Sequence, residues 1–311
     1  MAQKVMLITG CSTGIGLSMA ARFAKDAAKK YLVIPTMRNL KKRGPLEEAA
    51  GGALDDTLHI RQLDVVDDTS VAESVEKVVK DYGRIDILIN NAGVASLVPF
   101  EYATMDNVRD VMETNFFGTT RMMQAVLPHM KRQQYGHIIN ISSNSGINGY
   151  PFYDLYTASK HAVDGLSEAM ATRMKAHNIR VTLVLPGPVD SNINDNIGEQ
   201  TRLPTKAASD QITLRQARTI STHMKYHFKY LTQTADEVTD VVQAVLEKDD
   251  IDAPLRVHTS EYVRNMAAIK YSDLGLNNWV RYIRYCIEKT LDERPNGHKI
   301  DEQTLRAFIA N

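Results

Sequence analysis

Tyr156 and Lys160 stand at i and i+4 in Tyr156-Thr157-Ala158-Ser159-Lys160, which places both on one face of a helix. A free phenol titrates near pH ~10 and is a poor base at neutral pH. An ammonium one turn away and a positively charged ring bound beside it would both favour the phenolate and lower that value toward the working range. Such a pair can exchange a proton with an alcohol or a carbonyl oxygen. Ser143 precedes it in Ile141-Ser142-Ser143-Asn144-Ser145-Gly146, just beyond an apolar run of strand length. A strand followed by a helix brings Ser143 and Tyr156 to one edge, where the hydroxyl would hydrogen-bond a substrate oxygen and stabilise developing charge. Ser142 and Ser145 share that loop, and a loop serine also serves simply to cap a turn. Asn115, in Glu113-Thr114-Asn115-Phe116-Phe117-Gly118, sits inside a helical stretch where asparagine is mildly unfavourable. Its amide is expected to hold a water linking Lys160 to solvent, or else to be a buried structural group.

A second constellation lies at the N-terminus. Thr9-Gly10-Cys11-Ser12-Thr13-Gly14-Ile15-Gly16 follows an apolar run and opens a helix. Glycine suits turns of positive φ and points where backbone must approach a pyrophosphate, and the helix N-terminus behind it attracts anions. Between a strand and a helix this is the phosphate cradle of a dinucleotide site. An NAD site usually carries an acid about 20 residues further on, for the ribose 2′-hydroxyl. Here the stretch reads Pro35-Thr36-Met37-Arg38. Arg38 has the planar fork to pair with a 2′-phosphate, so NADP(H) is expected. Lys41, Lys42 and Arg43 add positive potential or form a solvated basic face. Pro35 donates no ladder hydrogen bond and is expected at the frayed end of its strand.

The elements that must position these groups alternate along the first 260 residues. Apolar runs occur at Val5–Ile8, Tyr31–Thr36, Leu58–Leu63, Ile85–Ile89, His137–Ile141, Val181–Leu185 and Leu255–His258. Between them lie helical segments: Gly16–Lys29, Ser70–Tyr82, Met105–Lys131, Leu155–His177 and Ala235–Leu246, the last opened by a Thr234/Glu237 capping box. Continuously apolar strands are buried on both faces. The pattern is α/β: a doubly wound, mostly parallel seven-stranded sheet with helices on both faces. Residues 1–260 are read as one catalytic domain. Residues 191–233 break the rhythm after the sixth run and are read as a helical substrate lid, the alternative being a surface insertion without function. Residues 261–311, with the single Trp279, are read as a helical extension packed on the domain, loose from about residue 294.

Composition narrows the function classes. The chain has 311 residues, 37 basic and 37 acidic side chains and a formal charge of zero, which removes the electrostatic case for nucleic acid. Cys11 and Cys286 cannot build a disulfide framework and fit a reducing compartment. There is no run of transmembrane length, and a cleaved signal would remove the first strand, so a cytoplasmic location is expected. No metal is expected.

The order and spacing of the glycine loop, Asn90-Asn91-Ala92-Gly93, Asn115, Ser143, Tyr156, Lys160 and Pro186-Gly187 resemble the short-chain dehydrogenase/reductase family over roughly residues 4–260. The resemblance implies that Asp64 and Val65 flank an adenine, that Asn91 and Gly93 lie by the cofactor, and that Pro186, Gly187 and Val189 border a nicotinamide. The chain is similar in particular to the branch of 17β-hydroxysteroid dehydrogenase type 1 and photoreceptor-type retinol dehydrogenase. Thr36-Met37-Arg38-Asn39-Leu40, Pro151-Phe152 and Gly187-Pro188-Val189 carry that likeness. It implies a steroid or retinoid substrate, with Ser143, Tyr150 and Tyr156 contacting it, and a homodimer. Asn144, Asn148, Tyr150 and Tyr153 depart from the branch by making the pocket wall more polar. His223 and His227 in the lid have the chemistry to bind a distal substrate hydroxyl, or are simply exposed. In the expected cycle Tyr156 exchanges the proton, Ser143 holds the substrate oxygen, Lys160 steadies the phenolate and binds the cofactor ribose, and hydride moves to or from the nicotinamide. A reductase of smaller or acyl carbonyls and a non-catalytic NADP(H)-binding relative are the alternatives.

Overall fold

A computed structural model of the chain describes residues 3–190, 210–248 and 250–288; the side chains of 221, 223–230 and 286–288 are not described. The strands are β1 (Lys4–Ile8), β2 (Tyr31–Met37), β3 (Arg61–Gln62), β4 (Ile87–Asn90), β5 (Gly136–Ile141), β6 (Ile179–Leu185) and β7 (Arg256–His258). The helices are α1 (Gly14–Ala24), α2 (Gly44–Ala50), α3 (Asp68–Tyr82), α4 (Met105–Met112), α5 (Gly118–Gln133), α6 (Asp154–Lys175), α7 (Gln211–Tyr230), α8 (Ala235–Lys248), α9 (Glu261–Tyr271) and α10 (Asn277–Glu288).

All seven strands join one sheet in the order β3-β2-β1-β4-β5-β6-β7, and every pairing is parallel. The chain reverses its direction of travel between β1 and β4, which opens a crevice at the carboxyl edge of the sheet. The central strands β1, β4 and β5 alternate their apolar side chains between two cores. Met6, Ile8, Ile87, Ile89 and Ile139 meet α1, α2 and α8 on one face. Val5, Leu7, Leu88 and Ile138 meet α3, α5 and α6 on the other. Burial on both faces is why these runs read as uniformly apolar.

Helix starts follow local chemistry. Asp67 caps α3 by accepting from Ser70 N at 2.8 Å, and Gly83 at φ +78° ends it. Thr234 and Glu237 form the reciprocal box at α8: Glu237 N donates to Thr234 Oγ1 at 3.1 Å, and Thr234 N donates to Glu237 Oε2 at 2.7 Å. Because α8 packs on α1 behind the glycine loop, losing this cap is felt globally. Thr234→Ala is expected to lower the unfolding free energy by about 1 kcal/mol in urea titration, with an unchanged slope.

Three expectations change. The run Leu58–Leu63 gives only the two-residue β3: Leu58 makes an isolated parallel bridge with Val33 while its own N–H bonds to Ala53 O, and the ladder resumes only at Arg61. Pro35 lies inside β2, opposite Ile8, and not at a frayed end. Its neighbours Val33 and Met37 turn their polar groups to the β3 side, so the missing N–H of Pro35 falls there, where the ladder with β3 has barely begun. The stretch Met105–Lys131 is interrupted by a π-helical segment over Glu113–Phe117, a feature common at functional sites.

Of the segment 191–233, residues 191–209 lie outside the described residues. Asp210 accepts from Tyr102 Oη at 3.3 Å and opens α7, which also touches α10. The side chains of His223 and His227, and the tail beyond residue 288, also lie outside the described residues. Trp279 of α10 is buried, donates Nε1 to Gly149 O at 3.1 Å and meets Tyr150 edge-on at 5.4 Å. The C-terminal helices thus brace the loop that follows Ser143. Among the described residues no helix is long and apolar enough to cross a membrane.

Candidate active site

One crevice of about 410 Å3 at the carboxyl edge is lined by Gly10, Arg38, Asp64, Ser143, Tyr156, Lys160 and Pro186 together with their neighbours. Residues scattered from position 10 to position 262 meet there because β1, β4, β5 and β6 end side by side.

The glycine loop forms its floor. Gly10 (φ +72°) and Gly14 (φ +60°) occupy the left-handed region, and a Cβ on Gly10 would lie 2.7 Å from Ala92 Cα. Ser12, Thr13, Gly14 and Ile15 also face the crevice. Thr9, Cys11 and Gly16 stand behind it. Thr9 Oγ1 accepts from Asn91 N and Ala92 N, both at 3.0 Å. A Cβ on Gly16 would strike Asn91 Nδ2 at 2.5 Å. The Cys11 thiol, expected in the cofactor set, points into the core, donates to Ile8 O at 3.4 Å and is pushed up to about 12 by burial. Asn91 donates Nδ2 to Thr9 O (2.9 Å) and Gly10 O (3.0 Å), so it ties the loop to the end of β4.

The fit to a dinucleotide rests on what α1 leaves open. Its N-cap Thr13 makes no side-chain capping bond and its first turn holds no acid, so its amides face the crevice uncompensated. At the far end Met37, Arg38 and Lys42 border the opening, with Arg38 and Lys42 exposed. Arg43 is instead drawn to Glu47 at 3.0 Å. Asp64, Val65, Gly93, Gly187 and Val189 border the same space. Asp64 Oδ1 accepts from Val66 N at 3.2 Å, and Asn144 N donates to Pro186 O at 2.8 Å.

Of the three loop serines, Ser143 is the one that hydrogen-bonds the Tyr156 phenol. Its Oγ also accepts from Ser145 N at 3.0 Å, while Ser142 is buried with its hydroxyl donated to Asp164. Tyr156 is half-buried, with its ring 6.4 Å from that of Tyr153 in an edge-on contact. Lys160 is buried; its Nζ donates to Ile141 O at 3.0 Å and lies 5.6 Å from the Tyr156 ring centre. Burial pulls the ammonium down to about 8, and Asp164 opposes that fall.

Lys160 by itself does not move the phenol in the expected direction. Burial pushes Tyr156 up, the Ser143 hydrogen bond pulls it down, and burial wins. Lys160 is aimed at a carbonyl of β5 and flanks the ring, so the ammonium does not offset the desolvation of the oxygen. Tyr153 is pushed up to about 12, first by burial and then by Tyr156. Asn115 also differs from expectation. Its Oδ1 accepts from Val94 N (2.8 Å), and its Nδ2 donates to Val94 O (2.9 Å) and Ser159 Oγ (2.9 Å). The amide expected to hold a water instead spends its hydrogens on protein and pins the strand β4 exit to α6. A Cβ on Gly93 would lie 3.3 Å from Asn115 Oδ1 and 3.7 Å from Lys160 Nζ, so this exit runs against the lysine.

Tyr150 joins the wall through its hydroxyl, which accepts from Asn144 Nδ2; Asn148 Nδ2 donates to Asn144 Oδ1 at 2.7 Å. Sequence reasoning missed Tyr262, which lines the crevice from α9, and Asp164, although its position one turn after Lys160 was visible.

A family profile described as short chain dehydrogenase matches residues 4–202. Retinol dehydrogenase 8 of Homo sapiens is 38% identical over 281 residues, covering 90% of this chain and 89% of that protein. The 17-beta-hydroxysteroid dehydrogenase type 1 of Homo sapiens is 36% identical over 283 residues, covering 90% and 84% respectively. Among solved structures, the closed form of serine dehydrogenase complexed with NADP+ superposes with a TM-score of 0.68 at 26% identity, over 82% of this chain and 95% of that one.

Proposed function

The chain belongs to the short-chain dehydrogenase family of oxidoreductases, and on that premise we propose that it interconverts an alcohol and its ketone or aldehyde with NADP(H), on a hydrophobic steroid or retinoid. The observation that carries this reading is the meeting of Ser143, Tyr156 and Lys160 in one crevice with the glycine loop and Arg38. Arg38, Lys42 and the first turn of α1 would hold the phosphates, and Asn91, Gly93 and Val189 would flank the rest. When bound, the nicotinamide supplies or accepts the hydride. Ser143 hydrogen-bonds the substrate oxygen, and Tyr156 donates the proton during reduction and takes it during oxidation. Lys160 balances the negative charge that Tyr156 then carries. Named relatives that act on retinol and on 17β-hydroxysteroids support the substrate class. So does the aromatic lining from Tyr150, Tyr153 and Tyr262. The segment 191–233 is proposed to cover that substrate.

The test is nicotinamide absorbance with the purified full chain against 17-keto and 17β-hydroxy steroids, retinal and retinol, and short or acyl ketones. Turnover of a steroid or a retinoid, with NADPH preferred over NADH, is the expected result. Activity confined to the short or acyl ketones would reverse the substrate class, and preference for NADH would reverse the cofactor.

A further inference from the structure

Asp164 follows Lys160 by one turn of α6, and its side chain is 3% exposed. Its Oδ1 accepts from Ser142 Oγ, and its Oδ2 faces Arg256 Nε of β7 at 3.8 Å without a hydrogen bond. Gly146 admits the carboxylate. A Cβ there would lie 2.8 Å from Asp164 Oδ2 and 2.5 Å from Ser142 Oγ. The group is therefore wedged between the helix that carries Tyr156 and Lys160 and the turn that carries Ser143. A carboxylate this dry is costly unless charges of opposite sign and donors surround it. Burial pushes the Asp164 carboxyl up, and the Ser142 hydrogen bond, Arg256 of β7, and Lys160 and His161 of α6 pull it back toward the carboxylate. Arg256 is shared with Glu168 of α6 and sees Lys270 of α9.

We propose that Asp164 is a positioning residue of the catalytic pair: the buried counter-charge of Lys160, tied through Ser142 to the turn that presents Ser143. The inference rests on the reading of Tyr156 and Lys160 as the proton-exchanging pair. It explains how an ammonium survives beside Gly93 and the Ile141 carbonyl, neither of which carries a charge. Burial lowers Lys160 to about 8, and the Asp164 carboxylate is what raises it against that fall. Without the carboxylate the lysine sheds its proton at lower pH. Any step that needs the ammonium then fails earlier as pH rises.

Two readouts are taken on the full chain across the neutral to alkaline range. One is the alkaline limb of kcat/KM for carbonyl reduction; the other is NADPH affinity from nicotinamide fluorescence. In Asp164→Asn both alkaline transitions are expected to move down, by about one pH unit for the loss of an opposite charge one helical turn away. Ser142→Ala, which keeps the charge and removes the tether, should leave both transitions where they are. Asp164→Asn profiles that superimpose on wild type after scaling would overturn the proposal. Lys160→Met separates the two layers. Wild-type turnover in that variant overturns the catalytic reading itself, whereas its loss beside an unmoved Asp164→Asn profile overturns the role of Asp164 alone. Should Asp164→Asn not fold, Asp164→Ser removes the same charge with a smaller side chain. Its alkaline transitions must move down likewise, and transitions that stay at the wild-type positions count against the proposal.

Discussion

Tyr156→Phe is expected to lower turnover by at least about a hundredfold while NADPH still binds. A positioned general acid or base contributes ~10²–10⁴-fold, and this substitution removes only the oxygen that performs that transfer. The ring keeps its place, because its edge-on contact with Tyr153 at 6.4 Å and its seat on α6 do not involve the hydroxyl. Ser143 keeps a partner in Ser145 N. The groups proposed to hold the phosphates stand at α1 and at the end of β2, on the other side of the crevice. The pH dependence adds a second signature. Burial raises the Tyr156 phenol, so it is protonated at neutral pH and ready to donate in reduction. Oxidation needs the phenolate, so its rate should climb with pH through the phenol's titration, and that climb should vanish in the Phe variant. Steady-state rates in both directions and nicotinamide fluorescence titrations decide the matter. Undiminished turnover would remove Tyr156 from the chemistry.

The sheet was legible because burial on both faces leaves a one-dimensional trace: a run such as Val181–Leu185 has no polar side to hide. The caps were legible for the same reason. Thr234 and Glu237 act on backbone within their own turn, so spacing alone specifies the contact. What spacing could not supply was competition. Leu58–Leu63 has strand composition, yet the Leu58 amide bonds to the turn before it while those of His59 and Leu63 reach β2, and a run of residues does not state which acceptor is nearer. Asn115 was marked by its oddity inside a helix, but its partners are the Val94 backbone and Ser159, which lie on other elements. The share of the Tyr156 shift assigned to Lys160 was out of reach likewise. The i,i+4 rule brought the ammonium to the ring but could not show Lys160 Nζ turning to Ile141 O, nor how dry the phenol would be. Asp164 obeys the same i,i+4 rule, and only the folded contact with Ser142 and the close approach that Gly146 permits make it more than a surface acid.

Arg38→Ala is expected to weaken NADPH by roughly ten- to a hundredfold while leaving NADH almost unchanged. The two cofactors differ only at the ribose 2′ position, so a residue that reads the phosphate there must separate them. Hydrogen bonds to a charged partner contribute about 1.5–3 kcal/mol, and each 1.4 kcal/mol is about a factor of ten in affinity. Arg38 is exposed, with its backbone carbonyl fixed by Gln62 Nε2 at 3.1 Å, so its base is held while its guanidinium is free to meet a ligand. Exposure also lets salt screen the pair, which puts the lower end of the range at high ionic strength. Lys42 stands at the same opening and Arg43 is engaged by Glu47, so some positive potential persists and the loss should not be complete. Calorimetric titration of both cofactors at low and high salt measures the separation. An equal loss for the two would mean that Arg38 supports the fold of the β2 end, whereas no loss for NADPH would move phosphate recognition to Lys42 or to the loop at Ser12. Met37 sharpens the comparison from the other side: an acid is what would favour the 2′-hydroxyl, and at the end of β2 a buried methionine side chain leaves none.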